Sequence, residues 1–123
     1  MKKLSVFAVI AISSLSSTIG SVAAESVQTL SGSQIRTKIA GMELTDEVHW
    51  RDAYDRDGTL RSYADGKKRV GKWEIEKNEL CVYFNDPEDG CYEVSLSGNR
   101  IEMKPTGLGL SIDGILQTPT DRN

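Results

Sequence analysis

Cys81 and Cys91 are the only cysteines in the chain, and each stands beside a run of alternating apolar residues. Leu80, Val82 and Phe84 alternate around the first, and Tyr92, Val94 and Leu96 follow the second. Between them lies Asp86-Pro87-Glu88-Asp89-Gly90, a proline- and glycine-containing loop. Successive side chains of a strand point to opposite faces. Setting Cys81 opposite Cys91 in an antiparallel pair therefore also sets Leu80 opposite Tyr92 and Val82 opposite Gly90. One register brings the sulfurs together on one face and gathers the apolar side chains on the other; a slip of one residue undoes both. Closing so short a loop is worth about 2.5–3 kcal/mol in chain entropy. Thioredoxin-like chemistry places two residues between its cysteines near a helix start; the longer spacing here points to a structural disulfide.

A disulfide requires an oxidising compartment, and the N-terminus supplies the expectation of one. Lys2 and Lys3 precede an apolar stretch from Leu4 to Leu15, and Val22-Ala23-Ala24 offers small residues at a cleavage point. That is the layout of a secretory signal peptide over residues 1–24, which leaves residues 25–123 as a single small domain in the periplasm or outside the cell. The apolar stretch is short of the roughly 20 residues a transmembrane helix needs, so no integral membrane segment is expected after cleavage. Removing Lys2 and Lys3 takes the bases from 15 to 13 against 18 acids, a net charge of −5. Nucleic acid is a poor partner for such a balance, because phosphate binding needs a basic footprint.

Ser31-Gly32-Ser33-Gln34 matches a capping box, in which Ser31 and Gln34 satisfy each other's backbone N–H groups. Leu30 and Ile35 fit the accompanying hydrophobic staple, Ile35 and Ile39 share one helix face, and Gly41 supplies a left-handed stop. The spacing predicts a helix over residues 32–40. The period then changes to alternation. Val48, Trp50 and Tyr54 point to one side; Leu60, Ser62 and Ala64 form the inner side of the next strand. A basic loop, Lys67-Lys68-Arg69, leads to Gly71, Trp73 and Ile75 on one face. Leu80 to Phe84, Tyr92 to Leu96 and Ile101 to Met103 follow, and Leu108, Leu110 and Ile112 suggest one last strand. Short alternating runs at this spacing, separated by Asp57-Gly58, Asp65-Gly66, Lys77-Asn78 and Gly98-Asn99, predict an antiparallel meander. The expected fold is mainly β (α+β), one short helix followed by six to seven strands in a strongly curved sheet or small open barrel.

Candidate chemistry is sparse. His49 is the only histidine, and strand parity puts it on the outer face. No activated nucleophile is spaced to use it, so no catalytic residue is assigned. Asp52, Asp55, Asp57 and Gly58 resemble the start of a calcium loop, but Ala53 and Ala64 then fall on its first and last ligand positions. No metal and no cofactor are therefore expected. Asp86, Glu88 and Asp89 read as solvated turn carboxylates. Lys67, Lys68, Arg69 and Lys72 form the only basic concentration, suited to an acidic partner or to plain hydration. The inner face is more informative. Trp50, Tyr54, Trp73, Phe84 and Tyr92 share it with the small residues Ser62, Ala64 and Gly71, and Asp52 has the same inward parity. Large rings opposite small side chains either interdigitate or leave an aromatic-lined pocket. The candidate binding residues are Trp50, Asp52, Tyr54, Ser62 and Trp73.

Leu30-Ser31-Gly32 with Gln34-Ile35, then Tyr54 with Asp57-Gly58, Gly71-Lys72-Trp73, Leu80-Cys81 and Gly90-Cys91-Tyr92, resemble in order and spacing a group of small exported bacterial proteins. The resemblance covers most of residues 25–123 and implies export and a helix followed by a Trp- and Cys-bearing β meander; it implies no activity. Gly71-Lys72-Trp73 is also similar to the lipocalin signature, which implies a barrel with a tryptophan-plugged base. The function expected is that of an exported non-enzymatic binding or accessory domain. Its partner would be an envelope or extracellular protein, as for an inhibitor, or a small apolar ligand carried inside the barrel. The alternative is a small hydrolase using acidic residues. Whether Asp52 lies in an open cleft beside a second carboxylate, or is closed over by Trp50 and Trp73, separates them.

Overall fold

A computed structural model describes residues 3, 8–16, 26–87 and 89–120; the cleavage point at Val22-Ala23-Ala24 lies outside them. Among the described residues there are nine strands and one helix: β1 (Gln28–Thr29), α1 (Gly32–Ile39), β2 (Met42–Thr45), β3 (Trp50–Tyr54), β4 (Thr59–Ala64), β5 (Lys67–Glu76), β6 (Glu79–Tyr83), β7 (Gly90–Ser97), β8 (Arg100–Pro105) and β9 (Ile112–Gln117). No helix among them is long and apolar enough to cross a membrane.

The fold is mainly β and antiparallel, as alternation implies, but it goes beyond an open meander of six to seven strands. β2 to β9 form an eight-stranded barrel. Neighbours in sequence pair with each other, β2 pairs with β9 through Leu44 and Leu116, and β8 pairs with both β7 and β9. Closure leaves no free edge along the barrel wall. The ninth strand, β1, lies along β7 beyond the end of β6, with Gln28 opposite Leu96.

Three boundaries differ from the sequence expectation. First, β2 and β3 are separate strands, because the Asp46 carboxylate turns the chain by accepting from the N–H groups of Val48, His49 and Trp50 at 3.0, 2.7 and 3.0 Å. Second, Lys67-Lys68-Arg69 belongs to β5 rather than to a loop. The turn is confined to Asp65-Gly66, both with positive φ (52° and 72°), the geometry that a tight two-residue hairpin requires. Third, Leu108 and Leu110 are fully exposed in the β8–β9 loop, and the last strand begins at Ile112.

The helix forms where its cap signals place it. Ser31 Oγ accepts from the Gln34 N–H, Gln34 Oε1 accepts from the Ser31 N–H at 2.9 Å, and Gly41 follows the helix at φ 77°. Its apolar face closes one end of the barrel, the base. Leu30, Ile35 and Ile39 are buried there in one cluster with Leu44, Trp73 and Leu80. Trp73 donates its indole N–H to the Asp55 carbonyl at 2.8 Å and meets Tyr54 edge-on, with ring centroids 5.9 Å apart. The Arg36 guanidinium, which helical spacing alone would leave in water, lies 5.5 Å over the Trp73 ring.

The disulfide joins β6 to β7 on the outer face. Cys81 pairs with Cys91, Leu80 with Tyr92 and Val82 with Gly90, the register that parity requires. Elsewhere on that face the Glu43 carboxylate is shut from solvent. Arg51 and Gln117 donate to it at 2.9 and 2.7 Å, and Thr120 crosses over it.

Candidate functional site

The end opposite the helix, the mouth, is ringed by the β2–β3, β4–β5, β6–β7 and β8–β9 loops. A cavity of about 110 Å³ sits inside it. Its position follows from strand parity. Asp52 on β3 pairs with Ser62 on β4, and Ser62 pairs with Arg69 on β5. All three have the inward parity of Tyr54, Leu60 and Trp73, so a polar row crosses three adjacent strands just inside the mouth. One step further down each strand the lining turns apolar, with Tyr54, Leu60, Val82 and Met103 as the floor.

Arg69 reaches across the mouth. One guanidinium nitrogen donates to Asp86 Oδ2 at 2.6 Å, and the group lies 4.4 Å over the Phe84 ring. The β6–β7 loop is shaped to present Asp86, since the Asp89 carboxylate accepts from the N–H groups of Phe84, Asn85 and Asp86 at 2.6, 2.8 and 3.3 Å. Gly71 makes room for the Phe84 ring: a Cβ at that inward position would collide with the ring and with the Tyr83 carbonyl. A missing side chain on β5 thus makes room for an aromatic wall just past the end of β6.

The two carboxylates of the cavity have different surroundings. Burial pushes the Asp52 carboxyl above its ordinary value, and the Ser62 hydroxyl bonded to it and the nearby Arg69 charge offset this only in part. Asp86 has its guanidinium in direct contact. Tyr54, fully buried below, is also raised, by burial first and then by Asp52 and Tyr92; its hydroxyl points to Met103 Sδ at 3.8 Å. A carboxylate held partly out of water, beside aromatic rings and above an apolar floor, can accept a donor from a small guest. With Asp86 across from it, it also has the elements of acid–base chemistry.

Asp52, Tyr54 and Ser62 line the cavity. Trp50 and Trp73 do not. Trp50 sits at the rim and lines a shallow outer groove with Tyr63, Lys67 and Lys68, and Trp73 plugs the base beneath α1. Neither tryptophan lines the cavity, and Asp52 shares it with a second carboxylate, Asp86. Arg69 and Asp86 are the residues that sequence reasoning missed. Arg69 carried a usable signal, the same parity as Gly71 and Trp73; nothing local marks Asp86. The four basic residues do not act as one patch: Arg69 turns inward, while Lys68 lies 5.8 Å from the Tyr63 ring on the outer face. His49 is exposed, with Nδ1 2.8 Å from Asp46 Oδ2. The Glu76 carboxylate approaches Cys81 Sγ and Cys91 Sγ at 3.6 and 3.8 Å, but these sulfurs are bonded to each other and offer no thiolate to a metal.

No family model matches this chain, and no curated protein or solved structure matches it either.

Proposed function

We propose that this chain is an exported, non-enzymatic binding domain, accessory or inhibitory to a protein of the cell envelope or the extracellular space, and that the partner seats one side chain in the mouth cavity. The size of the cavity carries the reading. Its roughly 110 Å³ is well below the 300–1,000 Å³ or so of ordinary small-molecule pockets, and below a cavity of about 150 Å³ that accommodates benzene. A lipid or other sizeable apolar cargo does not fit; one side chain does. The rim supports a protein partner, because Leu108 and Leu110 stand fully exposed on the β8–β9 loop and Val48 is largely exposed on the neighbouring β2–β3 loop. Exposed apolar side chains grouped around a pocket mark interaction surfaces.

Capture from envelope extract tests this. The mature protein, a Ser62→Trp variant that fills the cavity and a Leu108→Ser/Leu110→Ser variant are immobilised and compared, with folding checked by circular dichroism. A partner retained by the wild type and lost at least tenfold by both variants supports the reading; equal retention by all three overturns it.

The placement of Asp52 beside a second carboxylate, in a cavity that neither tryptophan lines, falls on the hydrolase side of the criterion set by the sequence, and it favours that second reading. Asp52 and Asp86 share a cavity in unlike surroundings, Asp52 beside the Ser62 hydroxyl and Asp86 against the Arg69 guanidinium, and paired carboxylates so placed can divide acid and base roles. A hydrolase of this kind loses turnover on Asp52→Asn substitution, whereas an inhibitor or accessory domain has no turnover to lose.

A further inference from the structure

We infer that the group received by the mouth cavity is a primary ammonium, the head of a lysine side chain on the partner, met by Asp52. This deepens the reading above and rests on it. Two carboxylates, Asp52 and Asp86, and one guanidinium, Arg69, line the cavity. Arg69 already donates to Asp86 at 2.6 Å and acts on Asp52 only through its nearby charge, so the carboxylate with no cation hydrogen-bonded to it is Asp52, whose hydrogen-bonding neighbour across the strand pair is the neutral Ser62 hydroxyl. A partly buried carboxylate without a cation in contact is costly, and an entering cation removes that cost. An entering anion does the reverse, since it must displace Asp86 from Arg69 and face Asp52 across the same row.

The walls agree with the charge. Tyr54, Phe84 and Tyr92 line the cavity, and ring faces attract cations; Phe84 already carries one in Arg69. The floor of Leu60, Val82 and Met103 suits a methylene stem behind a charged head. Size selects within the class, because the cavity admits an unbranched chain with a compact head and excludes a bulky quaternary ammonium.

The test uses n-butylammonium, the lysine side chain in free form, with butyrate and n-butanol as probes of the same length and opposite or no charge. Binding is followed by amide chemical shifts on the mature protein. Saturable shifts at Ser62, Tyr54 and Tyr92 with butylammonium, with butyrate at least tenfold weaker, are the expected result. Asp52→Asn should weaken butylammonium at least tenfold and leave n-butanol unchanged. Arg69→Gln, which removes the competing cation, should strengthen it. Butyrate binding as tightly as butylammonium, or Asp52→Asn leaving butylammonium unaffected, overturns the inference. So does silence of all three probes; if Ser62→Trp still abolishes partner capture, the binding-domain reading survives that failure. Butylammonium bound at Asp52 while Ser62→Trp leaves capture intact gives the converse, a cation site without the proposed partner role.

Discussion

Glu43 and Asp52 face opposite sides of the same wall, on paired strands, and titrate in opposite directions. For Glu43 burial would raise the carboxyl, but hydrogen bonds from Gln117 and Arg51, with the Arg51 charge, outweigh it and the value falls below the ordinary one. A lowered carboxylate stabilises the fold in full above its unfolded value, and that contribution disappears as pH drops through the folded one. Asp52 has the reverse sign: its raised value means that the fold gains stability when it takes up a proton. Removing Arg51 leaves Glu43 covered but without its cation. A buried pair broken this way typically costs about 3–5 kcal/mol; with Gln117 and Thr120 still donating to Glu43, Arg51→Ala should cost about 2–3 kcal/mol at neutral pH. Urea melts at two pH values check it, and the gap between wild type and variant should narrow in acid as Glu43 becomes protonated.

At the scale of elements, the base is held by a helix too short to persist alone and the wall by one cross-link. Ile39 is buried against the core, so Ile39→Ala should cost about 2–4 kcal/mol in denaturant melts. Lys38→Ala should stay within about 0.5 kcal/mol, and Arg36→Ala should fall between them, because its guanidinium covers the Trp73 ring at a worth of about 0.5–1 kcal/mol. If Ile39→Ala is as mild as Lys38→Ala, the helix does not close the barrel. Replacing both cysteines by Ala should cost about 2.5–3 kcal/mol, read from the same melts, with m slightly larger because the unfolded chain is no longer cross-linked. The helix and the Cys81–Cys91 register are legible in the sequence because each is written in several residues at once: a cap with its staple, and two sulfurs with six flanking apolar residues. The break between β2 and β3 is not, because Asp46 makes that turn with its carboxylate, without the Gly or Pro that usually marks one. Nor is the burial of Glu43, which depends on Gln117 and Thr120 arriving from the far end of the chain.

For the whole molecule, closure creates the site. Parity alone places Asp52, Tyr54 and Ser62 on the inner face. Only the pairing of β2 with β9 and of β8 with β7 wraps that face around a cavity, and only the β6–β7 loop brings Asp86 onto Arg69. Those contacts join distant parts of the chain and leave no local signature, so the inner face was readable and the latch across its mouth was not. The same wrapping sends the two inward tryptophans to different ends, Trp73 to the base and Trp50 to the rim, leaving Asp52 open to a guest. The direct measurement is an NMR pH titration of the Asp52 carboxyl carbon, in the presence of its neighbours Tyr54, Ser62, Arg69, Asp86 and Tyr92, with and without n-butylammonium. Asp52 should titrate above the ordinary aspartate value in the free protein and move down when the ammonium is added, since a bound cation favours the charged form. An Asp52 that titrates at or below the ordinary value and ignores the amine would contradict the account.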